Sequence, residues 1–299
     1  MCRASYGPRG KITAMAHINV GQENSAPIDL YYEDHGSGQP VVMIHGWPLS
    51  GAAWEKQIPV LLDAGFRVIT YDRRGFGASS RPATGYDYDT FAVDLDLVMT
   101  KLDLRDAVLV GHSMGTGEVT HYLGTFGSKR VSKAVLIGVL PPFLLKTPDN
   151  PTGVDGSVFE GIMAKIAKDR FAFATDFVND FYNVDVLGGK LVSDEVVHNS
   201  WNIATKASGV AFADCVPTWL TDMRADLPRI DVPVLLIHGD SDRILPIEST
   251  AIPYSKTVKN ARLVTVQDGP HGIPWTHADL VNRELLNFLR VAEPVGSTR

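Results

Sequence analysis

The chain has 299 residues, of which 44% are hydrophobic and 21% charged, so one large domain with an inserted sub-domain accounts for it without disorder or repeats. A net charge of −6 with no basic stripe disfavours a nucleic-acid partner, because phosphate binding needs clustered Lys and Arg. Two cysteines, Cys2 and Cys215, make no disulfide framework and suit a cytoplasmic location. There is no CxxC or HExxH pattern, and the histidines lack metal-ligand spacing, so no metal or cofactor is expected. Apolar runs such as residues 41–44 and 234–237 are too short for a bilayer, so no membrane partner is expected either.

Residues 1–14 lack the apolar stretch of a signal peptide and read as a disordered tail, with Met15 an alternative start. Residues 28–33 alternate in and out like a half-exposed strand. Residues 41–45 and 66–71 are continuous apolar runs ending in turns, the pattern of buried parallel strands. Residues 90–102 place Phe91, Leu95, Val98 and Leu102 at helical spacing. A strand at 107–110, a helix at 114–123 and a strand at 131–137 follow, and this alternation predicts a mostly parallel sheet covered on both faces.

The pattern changes at residues 140–228, which hold helical stretches (158–168, 171–181, 195–204) rich in aromatics and no convincing buried strand. Bounded by Pro141-Pro142 and Pro228, this segment reads as a helical cap inserted into a core of 15–139 and 229–291. Strands at 233–238 and 263–267 and an amphipathic helix at 278–290 complete the core, and 292–299 reads as a tail.

Gly111-His112-Ser113-Met114-Gly115 fits G-x-S-x-G between a strand and a helix, the context in which a tight turn lifts a serine hydroxyl above the sheet edge. A nucleophile there needs two backbone N–H groups for the developing oxyanion, and Trp47 and Met114 are the expected donors. Trp47 follows the early strand in His45-Gly46-Trp47-Pro48, where His45 reads as a brace for the loop. The acid and base must follow in the order Asp or Glu, then His. Gly239-Asp240-Ser241-Asp242-Arg243 offers two aspartates, of which Asp242 reaches further along the loop and is favoured. Asp268-Gly269-Pro270-His271-Gly272 presents His271 as the base, whereas His277 reads as a surface or capping residue. Trp47, Met114, Phe143, Trp201, Trp219 and Ile244 are candidate walls of an apolar acyl pocket.

On these segments the chain resembles the α/β-hydrolase superfamily and, within it, the cofactor-free bacterial haloperoxidases, the non-haem chloroperoxidases and bromoperoxidases. The resemblance runs from about residue 28 to 289, most selectively in Tyr71-Asp72-Arg73-Arg74-Gly75-Phe76-Gly77 and Ser113-Met114-Gly115-Thr116-Gly117-Glu118. It implies an α/β-hydrolase fold: a mostly parallel eight-stranded sheet, helices on both faces and an inserted helical cap. It also implies a triad at Ser113, Asp242 and His271, selecting Asp242 over Asp240, with oxyanion donors at Trp47 and Met114.

The group's enzymes are esterases whose acyl-enzyme accepts hydrogen peroxide as well as water, so small esters or carboxylic acids and peroxide are the implied substrates. Pro48 matches the proline that accompanies perhydrolysis, and a homo-oligomer (a trimer or higher) is implied as well. One departure is His112, where the group usually has Phe. A lactamase or lactonase would use the same residues. A non-catalytic ligand-binding protein would be expected to lose part of the triad, and dehalogenases and epoxide hydrolases need an aspartate at position 113.

Overall fold

The computed structural model describes residues 16–290; the expected tails at 1–14 and 292–299, with Cys2 and Met15, lie outside them. In chain order come β1 (His17–Glu23), β2 (Ala26–His35), β3 (Pro40–Ile44), α1 (Ile58–Asp63), β4 (Arg67–Tyr71), α2 (Tyr88–Lys101), β5 (Ala107–His112), α3 (Met114–Phe126) and β6 (Val131–Ile137). Next are α4 (Gly156–Tyr182), α5 (Val184–Leu187), α6 (Asp194–Thr205) and α7 (Gly209–Thr218). The chain then returns to the sheet with β7 (Val234–Gly239), α8 (Ala251–Thr257), β8 (Ala261–Val266), α9 (Ile273–Thr276) and α10 (Ala278–Arg290).

The strands form one sheet in the order β1-β2-β4-β3-β5-β6-β7-β8. The β1–β2 and β2–β4 pairs are antiparallel and every pair from β4 to β8 is parallel. Alternate residues of the central strands feed two separate cores, because successive side chains point to opposite faces. Val42, Ile44, Leu109, Leu136 and Leu236 pack with Leu95 and Val98 of α2 and Val119 of α3. Val41, Met43, Val110, Ile137 and Ile237 pack with Leu61 of α1 and with Val281, Leu285 and Leu289 of α10. Those last three recur every fourth residue, one helical stripe, and each stabilises the fold by about 1.5–3 kcal/mol on burial.

Register brings the carboxyl ends of these strands to one edge: Ile44 lies beside Gly111, His112 and Ile237 each beside Ile137, and Gly239 beside Val266. Loops leaving that edge are where open parallel sheets gather functional groups. Over it sit the helices α4–α7, inserted between β6 and β7, whose Phe159, Ile166, Phe212 and Val216 cluster with Trp47, Met114 and Leu140. Asp169 leaves the helical conformation (φ −163°, ψ 94°) and breaks α4 into two arms. Its Oδ1 accepts from the amides of Phe171 and Ala172, both at 3.0 Å, so it caps the second arm. Among the described residues no helix is long and apolar enough to cross a membrane.

Candidate active site

Ser113 joins β5 to α3 with φ 53° and ψ −122°, a conformation that costs a non-glycine residue about 1–3 kcal/mol. Its surroundings hold it there. The Ser113 amide donates to the Ile137 carbonyl at 2.9 Å, and the Ser113 carbonyl accepts from the Thr116 amide and hydroxyl at 2.8 and 2.7 Å. The flanking glycines are dictated by space. A Cβ on Gly111 would stand 2.5 Å from the Gly115 carbonyl oxygen, and one on Gly115 would stand 2.4 Å from that of Ile44.

Asp242 and His271 come from the loops after β7 and β8. His271 Nδ1 lies 2.6 Å from Asp242 Oδ2, and the His271 ring is fully buried. Asp242 Oδ1 accepts the amides of Ile244 and Leu245 at 2.9 and 2.8 Å, which leaves Oδ2 turned to the imidazole. Burial by itself would raise the Asp242 carboxyl; the charge of His271 and hydrogen bonds from His238 and His271 outweigh it and hold the group well below the usual carboxylate range. An ionised Asp242 keeps the His271 proton on Nδ1, so Nε2 is the free acceptor. That Nε2 is buried and has no hydrogen-bond partner among the described residues. Ile137 and Gly138 link the base to the serine: the Ser113 amide donates to Ile137, and a Cβ on Gly138 would stand 3.2 Å from His271 Cε1.

Two further histidines hold this pair: His238, which sequence reasoning passed over, and His112, noted there only as a departure from the group's usual Phe. His238 is the penultimate residue of β7 and fully buried; its Nδ1 accepts the Val139 amide at 2.9 Å, which puts its proton on Nε2. That Nε2 donates to the Leu245 carbonyl at 2.7 Å and faces Asp242 Oδ2 at 3.2 Å. The sequence signal was a lone imidazole in an otherwise apolar strand, four residues before Asp242. His112, in the place of the expected Phe, donates from Nε2 to the His271 carbonyl at 3.1 Å. Burial and the neighbouring His271 push His112 down to about 3, so it stays neutral.

His45 braces its loop as expected: Nδ1 donates to the Gly46 carbonyl at 2.9 Å and Nε2 accepts the Arg73 amide at 3.0 Å. The Trp47–Pro48 peptide is cis and both residues are buried. The amides of Trp47 and Met114 donate to no acceptor among the described residues. Asp240 is exposed in the turn beside Ser241. His277 sits at the start of α10, where its carbonyl accepts the Val281 amide at 3.0 Å.

Ser113 opens on a cavity of about 340 Å³ whose walls include Trp47, Met114, Trp219, Ile244 and Phe177. Two expected wall residues lie elsewhere. Phe143 is off the lining because its ring packs under the Arg224 guanidinium, 4.6 Å from the centroid, and the adjacent Leu144 takes the wall instead. Trp201 donates from Nε1 to the Phe171 carbonyl at 3.2 Å, tying α6 to α4 away from the cavity. Pro48 shapes the loop and is not part of the lining. Among the described residues no cluster of three or more His, Cys, Asp or Glu side chains could hold a metal ion.

A family model described as alpha/beta hydrolase fold matches residues 39–278. The chain belongs to this family. Among its relatives in the family, a Synechocystis protein provisionally named a non-heme chloroperoxidase is 64% identical over 276 residues, covering 92% of this chain and 100% of that one. A bifunctional esterase/perhydrolase from Acinetobacter calcoaceticus is 38% identical over 267 residues, covering 88% and 96%. The crystal structure of a bromoperoxidase from Bacillus anthracis superposes with a TM-score of 0.88 at 44% identity, covering 92% of this chain and 99% of that one. Within the alpha/beta hydrolase family the chain thus falls in the non-heme haloperoxidase group.

Proposed function

We propose that this hydrolase forms an acyl-enzyme on Ser113 from small carboxylic esters or acids and releases it to water or to hydrogen peroxide. The observation that carries the reading is the buried His271, bonded through Nδ1 to Asp242 and unpartnered at Nε2 among the described residues, beside a strained serine that opens on an apolar cavity. His271 Nε2 takes the Ser113 proton as Oγ attacks the acyl carbon, and the Trp47 and Met114 amides receive the oxyanion. Collapse expels the alkoxide of an ester or the hydroxide of an acid, which leaves with the proton from His271 as an alcohol or as water. Water or hydrogen peroxide then gives a proton to His271 and attacks the acyl carbon. Ser113 departs with that proton, leaving a carboxylic acid or a peracid. A peracid so formed oxidises bromide to hypobromous acid and returns the carboxylate, so the halide step proceeds outside the triad.

One relative named as a bifunctional esterase/perhydrolase and another named as a non-heme chloroperoxidase support both fates of the acyl group. The same reading includes residues 140–228 as a cap that closes the acyl cavity, a cytoplasmic location and a homo-oligomer. The test is labelling by a fluorophosphonate probe, followed by rates on p-nitrophenyl esters and on acetate with peroxide and bromide. Labelling and both activities should appear in the wild type and vanish in Ser113→Ala. Folded wild-type protein that takes no label would overturn the acyl-enzyme and favour a binding module.

A further inference from the structure

Two selective sequence segments, at 71–77 and 113–118, contain charged residues that the acyl-enzyme chemistry leaves without a task. The fold brings them together. Arg73, in the turn after β4, and Glu118, one turn into α3, form an ion pair with Nη2 and Oε2 at 2.7 Å, and both side chains are almost wholly buried. Arg73 Nε donates to the same oxygen at 2.8 Å. The Tyr71 hydroxyl donates to the other carboxylate oxygen of Glu118. Arg73 then reaches a third element: Nη2 donates to the His45 carbonyl at 3.0 Å, and its backbone amide donates to His45 Nε2 at 3.0 Å.

A buried pair of this kind does little for net stability, because desolvating both charges cancels most of their attraction, and apolar replacements of similar volume are often as stable. What it does supply is direction. The two amides expected to bind the oxyanion lie on different elements, Trp47 on the loop after β3 and Met114 at the first turn of α3. These elements touch backbone to backbone at Gly115, where a Cβ would stand 2.4 Å from the Ile44 oxygen and 3.0 Å from the His45 oxygen. Arg73 Nη2 holds that same His45 oxygen while Nη2 and Nε together hold Glu118 of α3.

We infer that Arg73 and Glu118 are positioning residues for the oxyanion hole, a strap that sets the Trp47 and Met114 amides at the spacing the tetrahedral intermediate requires. The inference rests on the acyl-enzyme reading of Ser113. Oxyanion donors act through preorganised position, so a shift of one donor should lower kcat with little change in KM.

The test uses two variants. Arg73→Met with Glu118→Met removes the strap without leaving an unpaired charge. Arg73→Lys keeps the charge beside Glu118 but loses the planar fork that serves Glu118 and His45 together. In each folded variant, kcat on p-nitrophenyl acetate should fall about tenfold or more, against the 10²–10³-fold that loss of a whole donor costs. KM should stay within about twofold and the melting temperature near that of wild type. Affinity for a trifluoromethyl ketone, which adds to the serine as a tetrahedral oxyanion, should fall in step with kcat, while that for a planar carboxylate competitor holds. If the double variant does not fold, Arg73→Lys decides alone. A labelled wild type with kcat and ketone affinity unchanged in folded Arg73→Lys would overturn the strap; a wild type unlabelled at Ser113 would overturn the acyl-enzyme reading itself.

Discussion

At the scale of single residues, the choice between water and peroxide turns on Trp47 and its neighbour. The Trp47 carbonyl accepts no hydrogen bond from any described residue, so it is free to accept one from peroxide. Pro48 fixes its own φ and restricts the backbone of Trp47, and with it the direction of that carbonyl. Pro48→Leu removes both constraints. One lost hydrogen bond is worth about 0.5–1.5 kcal/mol, so the ratio of peracid formation to ester hydrolysis should fall about 3–10-fold. Parallel assays of the two reactions on one ester measure it, and an unchanged ratio would show that Pro48 only shapes the loop. Ser113, Asp242 and His271 were legible because their order and their places after strands are sequence properties. His238 and His112 were not, because their roles depend on partners 99 and 159 residues away that only the folded sheet brings near. Phe143 was misread for a similar reason: Arg224, 81 positions further on, claims its ring, and the adjacent Leu144 turns to the cavity.

Between elements, α2, α3 and the turn before β7 share one ionic joint. His121 of α3 sits between Asp89 of α2 at 2.7 Å and Asp226 at 2.8 Å, with the Tyr88 ring 6.5 Å away. Burial lowers the imidazole, but the bonds to Asp226 and Asp89 overcome it, and the net shift is upward. A histidine whose folded pKa lies above its unfolded value of about 6.5 stabilises the fold fully below that pH and loses the effect as pH rises through the folded value. Asp89 is largely exposed, so the joint is worth about 1 kcal/mol at most, or about 2–4 °C in melting temperature. His121→Asn should therefore lower the melting temperature more at pH 6 than at pH 9; an equal drop at both would mean that the charge plays no part.

Strands and long helices were readable along the chain because their periodicity is local, and even the break at Asp169 fell between two helices expected from the sequence. The shorter α1, α5, α7, α8 and α9 went unread, and all but α5 contain a proline: Pro59, Pro253 and Pro274 in the first turn, where no amide is needed, and Pro217 near the end of α7.

For the molecule as a whole, the sheet and the inserted helices act as one instrument. The Gly272 amide donates to the Phe181 carbonyl at 2.7 Å and the Asn183 amide group to the Ser241 carbonyl at 2.8 Å, so the insertion is tied to the loops of both His271 and Asp242. The cavity wall is likewise shared: Ser113, Met114 and Trp47 come from the sheet edge, and Phe159, Phe177 and Trp219 from the inserted helices. Its charged members are Lys165, Asp176, Asp180 and Arg243, and Arg243 is engaged by Asp185 at 2.8 Å. Lys165, Asp176 and Asp180 are exposed, which puts their charge toward solvent and leaves the apolar residues to meet the acyl group. An acyl chain that ends in a carboxylate would lose its water there without a buried cation to replace it, at a cost of several kcal/mol. The p-nitrophenyl ester of butyrate should therefore be hydrolysed with a kcat/KM at least about 10²-fold above that of the half-ester of succinate, which has the same number of carbons. Comparable rates on the two would mean that the acyl chain lies along the charged rim rather than against Trp219 and Phe177, and that the inserted helices select substrates by charge instead of by shape.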